Sequence, residues 1–297
     1  MRVFVTGATG FIGSAIVQDL IGAGHQVLGL ARSDASAEAL VAAGADVHRG
    51  ALDNLDSLRS GVAAAEGVIH TAFIHDFSNY AAAAETDRRA VETLGAALVG
   101  SGHPFVVTSG IALLTPGRVG TEEDAPNPHS AAGFRIAAEE ATLALAAQNV
   151  RSSVVRLPPS VHGEGDHGFV PALIGIAREK GVSAYVGDGL NRWSAVHRLD
   201  AARLYRLALE QGAAGSRFHG VADEGIPVRE IAEVIVRRLN LPVVSKSPEE
   251  APEHFGWLAH FLGIDCPASS RLTQERLGWK PEHASLLPDI DQPYYFL

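Results

Sequence analysis

The stretch RVFVTGATGFIGSAIVQDLIGAG, residues 2–24, joins a short apolar run to a helical pattern through a glycine-rich turn. Val3, Phe4 and Val5 predict a buried strand, and Phe11–Ala23 predicts a helix. Between them TGATGFIG, residues 6–13, places Gly7, Gly10 and Gly13 in a GxxGxxG spacing. A tight strand-to-helix turn needs residues without a Cβ, so that backbone can approach a pyrophosphate and the helix can pack closely on the strand. The helix N-terminus then offers free N–H groups and partial positive charge to the phosphates. Gly7, Thr9, Gly10, Phe11, Ile12 and Gly13 are therefore candidate nucleotide contacts.

Working outward, the first half alternates short apolar runs with longer Ala/Leu-rich patterns. Strands are predicted at Val27–Ala31, around Val47, at Gly67–Ala72, Phe105–Ser109 and Ser152–Arg156. Helices are predicted at Ala35–Ala43, Leu52–Val62, Tyr80–Val99 and Arg135–Gln148. That alternation implies an α/β fold with a doubly wound parallel sheet. After Pro158 the rhythm loosens, with helices predicted at Phe169–Lys180, at Asp200–Gln211 and within GIPVREIAEVIVRRLNLP, residues 225–242, where Ile226, Ile231, Ile235 and Leu239 fall near helical spacing. Residues 1–157 read as the nucleotide-binding core, completed by parts of 190–225. Residues 158–297 read mainly as a smaller, interleaved substrate-binding lobe that grows out of the core.

Composition narrows the function classes. The 297 residues are 46% hydrophobic and 20% charged, with a formal net charge of −10, which argues against a phosphate-backbone-binding face and so against nucleic acid. One cysteine, Cys266, cannot form an intramolecular disulfide and fits a reducing compartment. The start is a strand rather than a signal segment, and no run reaches the roughly eighteen apolar residues of a membrane span. A cytoplasmic protein is the expectation. Thirteen histidines include no HxxxH or HExxH, and HGEGDH, residues 162–167, reads as a polar loop, so no metal is expected.

The end of the second strand selects the nucleotide. QVLGLARSD, residues 26–34, closes on Ala31, Arg32 and Ser33. An acidic residue here would serve the ribose hydroxyls of NAD, whereas an arginine accommodates a 2′-phosphate. Arg32 can pair with that phosphate through its fork and Ser33 can donate a hydroxyl, which favours NADP(H) over NAD(H). Asp34 is expected to cap the following helix.

With these residues placed, the chain resembles the extended branch of the short-chain dehydrogenase/reductase superfamily over nearly its whole length. TGATGFIG matches that branch's TGxxGxxG. GALDNLDSL, residues 50–58, resembles its adenine-contacting GDLxD segment, with Ala51 where Asp is usual and Leu52 and Asp53 retained. VIHTAF, residues 68–73, resembles its HxAA strand end and sets Thr71, Ala72 and Phe73 near the cofactor. VVRLPPSVHGEGD, residues 154–166, resembles RPxxVYGPG, with Leu157, Pro158 and Pro159 toward the cofactor and His162 in the usual tyrosine place. YVGDGLNRWSAVHRLDAARL, residues 185–204, and TQERLGWKP, residues 273–281, resemble two later signatures. The resemblance implies a Rossmann fold, an NAD(P) cofactor, a small-molecule substrate and a possible homodimer through the helices at Tyr80–Val99 and Arg135–Gln148.

The catalytic set that the resemblance implies is missing. Family members carry Ser or Thr after the fifth strand, then YxxxK. Here VVTSGIALL, residues 106–114, puts Gly110 at the serine place with Thr108 and Ser109 just before it. In HSAAGFRIAAEEATL, residues 129–143, aligning Glu139 with the family's glutamate puts Ala131 at the tyrosine and Arg135 at the lysine. Arg135 could still hold the nicotinamide ribose, but guanidinium stays charged and cannot share a proton. The alternative reading of Arg135 is a surface cation. Candidate proton donors are Ser109, His75 and His162, all near strand ends at the sheet's carboxyl edge. Arg192 and Trp193 are open between substrate contact and structure, and EHFGWLAHFLG, residues 253–263, reads either as a lid or as packing of the small lobe. The expected function is an NADP(H)-dependent reductase of a small carbonyl-type substrate. The alternatives are a non-catalytic NADP(H)-sensing protein and a cofactor-retaining epimerase or dehydratase.

Overall fold

The computed structural model describes residues 1–76, 79–130 and 132–297. The first half builds β1 (Arg2–Thr6), α1 (Phe11–Gly22), β2 (Gln26–Ala31), α2 (Asp34–Ala42), β3 (Asp46–Arg49), α3 (Leu55–Ala63), β4 (Gly67–His70), α4 (Tyr80–Leu98), β5 (Pro104–Gly110), α5 (Ile136–Ala144) and β6 (Arg151–Leu157). The second half adds β7 (Ser160–His162), α6 (Phe169–Lys180), β8 (Ser183–Val186), β9 (Arg192–His197), α7 (Arg198–Gln211), β10 (Ser216–His219), β11 (Asp223–Pro227), α8 (Val228–Leu239) and β12 (Val243–Lys246), followed by short helices.

Seven strands form one parallel sheet in the order β10-β6-β5-β4-β1-β2-β3. The chain winds outward from β1 to β3, returns to the other side of β1 at β4, and continues to β6. That reversal opens a crevice at the carboxyl ends of β1 and β4, the place where such sheets bind ligands. Strand alternation loads both faces: Val3 and Val5 join the cluster under α1, α2 and α7, while Phe4 joins the one under α3 and α4. The late strand β10 completes the sheet, and α7 packs on α1, where Arg206 Nε donates to Asp19 Oδ2 at 2.7 Å. Trp279 of the C-terminal signature is fully buried in this same cluster, and its Nε1 donates to the Asp200 carbonyl at 2.9 Å.

The small lobe has its own apolar cluster, from Leu173 and Trp193 to Phe255 and Leu286. It carries a three-stranded sheet, β11-β9-β7, and the pair β12-β8. Its strands are short and interrupted, so β7, β11 and β12 escape a periodicity reading. Ile226 lies in β11 rather than in the following helix, because Pro227 occupies the N-cap position and α8 starts at Val228.

Other departures have local causes. Asp34 does not cap α2; Ser33 does, its Oγ accepting from Ser36 N at 3.2 Å, while Asp34 pairs with Arg49 at 2.6 Å. Asn54 caps α3, which therefore begins three residues later than its apolar pattern. The alanines Ala83, Ala84 and Ala90 of α4 are buried within the single chain, facing the core. Among the described residues, no helix is long and apolar enough to cross a membrane.

Candidate active site

A cleft of about 1280 Å³ runs along the carboxyl edge of the sheet. At its centre the β1–α1 turn is built as the glycine spacing predicts. Gly7 adopts φ +70°, and Gly10 N donates to Gly7 O at 2.9 Å. A Cβ on Gly7 would stand 2.7 Å from Ala72 N, and one on Gly13 only 1.9 Å from Gly7 O. No side chain caps α1, so its first amides face the cleft.

The cleft brings together most of the residues singled out above. Gly7, Thr9, Gly10, Phe11, Ile12 and Gly13 line its middle. Arg32, Ala51, Leu52 and Asp53 line one end, joined by Ser36, which sequence reasoning missed. Thr71, Ala72, Phe73, Thr108 and Arg135 line the other end, and Leu157, Pro158 and Pro159 edge it. Two assigned residues do not line it. Ala31 ends β2 with its methyl packed in the core, 1% exposed, and Ser33 spends its hydroxyl capping α2. Arg32 has no ion pair or hydrogen bond among the described residues, and its nearest sequence acid, Asp34, is drawn to Arg49.

Arg135 is not a surface cation. Its Nη2 donates to Thr108 O at 2.9 Å and to Asp87 Oδ2 at 3.3 Å, and its guanidinium lies 4.4 Å over the Phe73 ring. Asp87 also holds His70, whose Nε2 is 3.1 Å from Oδ1, and His70 Nδ1 reaches Thr6 Oγ1 at 2.8 Å. This chain ties β1, β4, α4 and the turn before α5 into one rigid seat. Burial works to raise the Asp87 carboxyl, but Arg135 and His70 outweigh it and hold it below the ordinary value. His70 stands in the HxAA-like strand end, whose later residues are the ones read toward the cofactor, and Asp87 stands in no local motif, which is why their pairing escapes sequence reasoning.

The three candidate proton donors have different fates. Ser109 edges the cleft, but its hydroxyl donates to Glu139 Oε2 at 2.7 Å. Glu139 is buried with Arg156, and their closest pair, Oε1 and Nη2, is 2.5 Å apart; Arg217 Nε adds a contact at 3.1 Å. Ser109 is thus part of a buried ion network. His162 lies outside the cleft. In β7 alternate side chains face opposite ways, so Val161 lines the cleft while His162 is fully buried with its Nδ1 2.8 Å from Asp289. His75 does line the cleft, edge-on to Phe73 at 5.4 Å. The enclosing walls, then the Arg135 cation and His167, lower its pKa, so its imidazole is neutral at pH 7. Ala131, aligned with the missing tyrosine, lies outside the described residues.

One end of the cleft is aromatic. Phe73, Tyr80, Phe169, Trp257 and Phe261 line it. In residues 253–263, Trp257 and Phe261 face the cleft while Leu258 and Leu262 are fully buried in the lobe. Trp193 is core, fully buried. Arg192 is spent on Asp265, with paired contacts of 3.0 and 2.9 Å.

Comparison with known proteins agrees with this architecture. Residues 3–220 match the model of the NAD dependent epimerase/dehydratase family. An uncharacterized protein of Schizosaccharomyces pombe is 54% identical over the full length of both chains. The 2-alkyl-3-oxoalkanoate reductase of Stenotrophomonas maltophilia is 29% identical over 83% of this chain and 78% of its own. The structure of DesIV, a dTDP-glucose 4,6-dehydratase from Streptomyces venezuelae with NAD and TYD bound, superposes with a TM-score of 0.80 over 100% of this chain and 97% of its own, at 19% identity. With its parallel seven-stranded sheet, glycine turn and carboxyl-edge cleft, the chain belongs to the NAD dependent epimerase/dehydratase family, whose members are NAD(P)-dependent enzymes.

Proposed function

We propose that this protein is an NADP(H)-dependent oxidoreductase that reduces a small, apolar carbonyl compound. The observation that carries the reading is the single continuous cleft. It has at one end Arg32, which has no ion pair among the described residues, the glycine turn in the middle and an aromatic wall at the other end. Arg32 and Ser36 would hold the 2′-phosphate, the α1 amides the pyrophosphate, and Arg135 the nicotinamide ribose. The bound reduced nicotinamide would supply hydride. Phe73, Trp257 and Phe261 would exclude water and favour an apolar substrate. The reductase name of the Stenotrophomonas relative supports a carbonyl substrate. Arg192, held by Asp265, is not placed to receive a sugar-nucleotide phosphate, which weighs against an epimerase or dehydratase.

NADPH oxidation across a panel of aldehydes, ketones and imines tests the proposal, with turnover expected on aryl and alkyl carbonyls. Arg32→Ala should raise the NADPH Kd by roughly 10- to 100-fold, the worth of lost charge-assisted hydrogen bonds, and change NADH binding less than about threefold. Equal losses for both nucleotides refute the 2′-phosphate assignment. The engagement of Ser109 by Glu139 favours a second reading, a nucleotide-sensing protein without turnover. Tight NADPH binding with no oxidation on the whole panel selects it.

A further inference from the structure

We propose that Tyr295 is a positioning residue for the dinucleotide: its hydroxyl holds the loop at residues 163–168 against the first turn of α1, where the pyrophosphate binds. This role rests on the reading of the cleft as a dinucleotide site.

The loop lies in HGEGDHG, residues 162–168, between β7 and α6. Asp166, His167 and Gly168 line the cleft. His167 stands edge-on to the Phe11 ring, 5.7 Å between centroids. Phe11 is the first residue of α1, directly after Gly10 of the glycine turn. Arg198, which opens α7, lies 4.9 Å from the centre of the same ring, and its Nη1 donates to Glu164 O at 2.9 Å. The loop and the start of α7 therefore hold Phe11 together, and Phe11 carries the end of α1 that faces the phosphates.

The loop has few holds of its own. Glu164, Gly165, His167 and Gly168 are exposed. Asp166 N donates to Gly163 O at 3.0 Å, and Asp166 Oδ1 accepts from Gly168 N at 2.7 Å. The buried anchor comes from a residue 132 positions later. The Tyr295 oxygen accepts from Gly163 N at 3.0 Å, and its hydroxyl donates to Asp166 Oδ2 at 3.1 Å. One phenol thus fixes both the start of the loop and the residue next to His167.

Tyr295 is itself fixed. It lies in a short helix, Pro293–Tyr295, and is buried in the small-lobe cluster. The Tyr294 hydroxyl beside it donates to Asp289 Oδ1, and Asp289 Oδ2 is 2.8 Å from His162 Nδ1. His162 ends β7, the strand that leads into the loop. The histidine that stands where the resemblance expects a tyrosine therefore ties the segment carrying Tyr295 to the base of the loop it holds. Gly163 makes the close seating possible. Its φ is +134°, and a Cβ there would stand 2.9 Å from His197 Nε2 and 3.1 Å from Arg198 Cγ.

Without the phenol oxygen, the buried Gly163 N–H has no partner and Asp166 loses its donor. The loop then opens locally at lower cost, and Phe11 loses its contact with His167. Ligands that carry a pyrophosphate feel the change. A ligand confined to the Arg32 end of the cleft does not.

Calorimetry with NADPH, NADH and 2′-AMP, together with hydrogen exchange of residues 160–170, tests the role in wild type, Tyr295→Phe and Tyr294→Phe. Tyr295→Phe keeps the ring in its packed place and removes only the oxygen. It should raise the Kd of both dinucleotides about fivefold or more and by similar factors. The 2′-AMP Kd should stay within about twofold, which a general loss of structure would not allow. Exchange of the loop amides should be about tenfold faster in Tyr295→Phe, and NADPH should slow it in wild type. Tyr294→Phe removes a hydroxyl that touches Asp289 but not the loop, and should stay within about twofold for all three ligands. Dinucleotide Kd values within twofold of wild type, or loop exchange that Tyr295→Phe leaves unchanged, overturn the role of Tyr295 alone. Weakening of 2′-AMP by the same factor as the dinucleotides overturns it in favour of a merely structural tyrosine. The NADH Kd and the exchange rate decide the matter even if the 2′-phosphate assignment of Arg32 falls. Wild type that binds neither dinucleotide removes the cofactor reading, and the role of Tyr295 with it.

Discussion

Glu139→Leu should destabilise the protein by about 3–5 kcal/mol, lowering Tm by roughly 10 °C. The carboxylate is 1% exposed and binds Ser109, Arg156 and Arg217 together. Removing it strands the Arg156 guanidinium, itself fully buried, without a counter-charge. That loss exceeds a lost pair on the surface several-fold, because the stranded charge has no water to return to. Glu139→Leu combined with Arg156→Met should regain more than half the loss, since an apolar pair needs no compensation. A single variant with unchanged Tm, or a double variant no better than the single, would contradict the account.

The same network sets a pH limit. Burial favours the neutral form of Glu139, but Arg156, Ser109 and Arg217 outweigh it and hold its pKa below the ordinary glutamate value. A depressed folded-state pKa contributes stability above the unfolded value of about 4.3 and loses it as pH falls through the folded value. The stability gap between wild type and Glu139→Leu should therefore be full at pH 7 and shrink below about pH 4, as followed by denaturant midpoints.

Gly13→Ala should abolish nucleotide binding, with the NADPH Kd raised at least 100-fold, and cost on the order of 1–3 kcal/mol of stability. The added Cβ would stand 1.9 Å from Gly7 O and 2.8 Å from Gly7 C, both backbone atoms that no rotamer change can move aside. Helix α1 must then shift off β1, carrying its amides away from the phosphates. Gly22→Ala, on the last turn of the same helix, is the matched control. Nothing lies within 4 Å of its new Cβ, so it should leave binding unchanged and add a few tenths of a kcal/mol from helix propensity. Fluorescence titration with NADPH and thermal melts of both variants would settle the comparison. Comparable binding by Gly13→Ala and wild type would mean that the turn does not hold the nucleotide.

Much of the cleft was legible because its parts are contiguous in the chain. The glycine turn, the β2 terminus at Arg32 and the β4 terminus at Thr71–Phe73 each sit where a parallel strand ends, and parallel strands end on one edge. The misplacements come from side-chain direction. Val161 and His162 are neighbours in sequence, yet pleating sends one to the cleft and the other to Asp289. The residue type of Ser33 suits a ligand, but the helix N-terminus beside it has first claim on the hydroxyl. Ser109 stands at the right edge with its proton already committed to a carboxylate on α5.

The sequence by itself determined the winding of the core and the place of the nucleotide turn. Both follow from local patterns: apolar period, glycine spacing and strand–helix alternation. Only the tertiary structure decided what surrounds the aromatic end of the cleft. Arg135 is seated by Asp87 from another helix, Asp87 is bound to His70 of β4, and Tyr80 comes to the same end of the cleft from the start of α4. No spacing along the chain encodes those meetings. They are set by the order of strands in the sheet and by which face of α4 turns inward, quantities that exist only once the crossovers have closed.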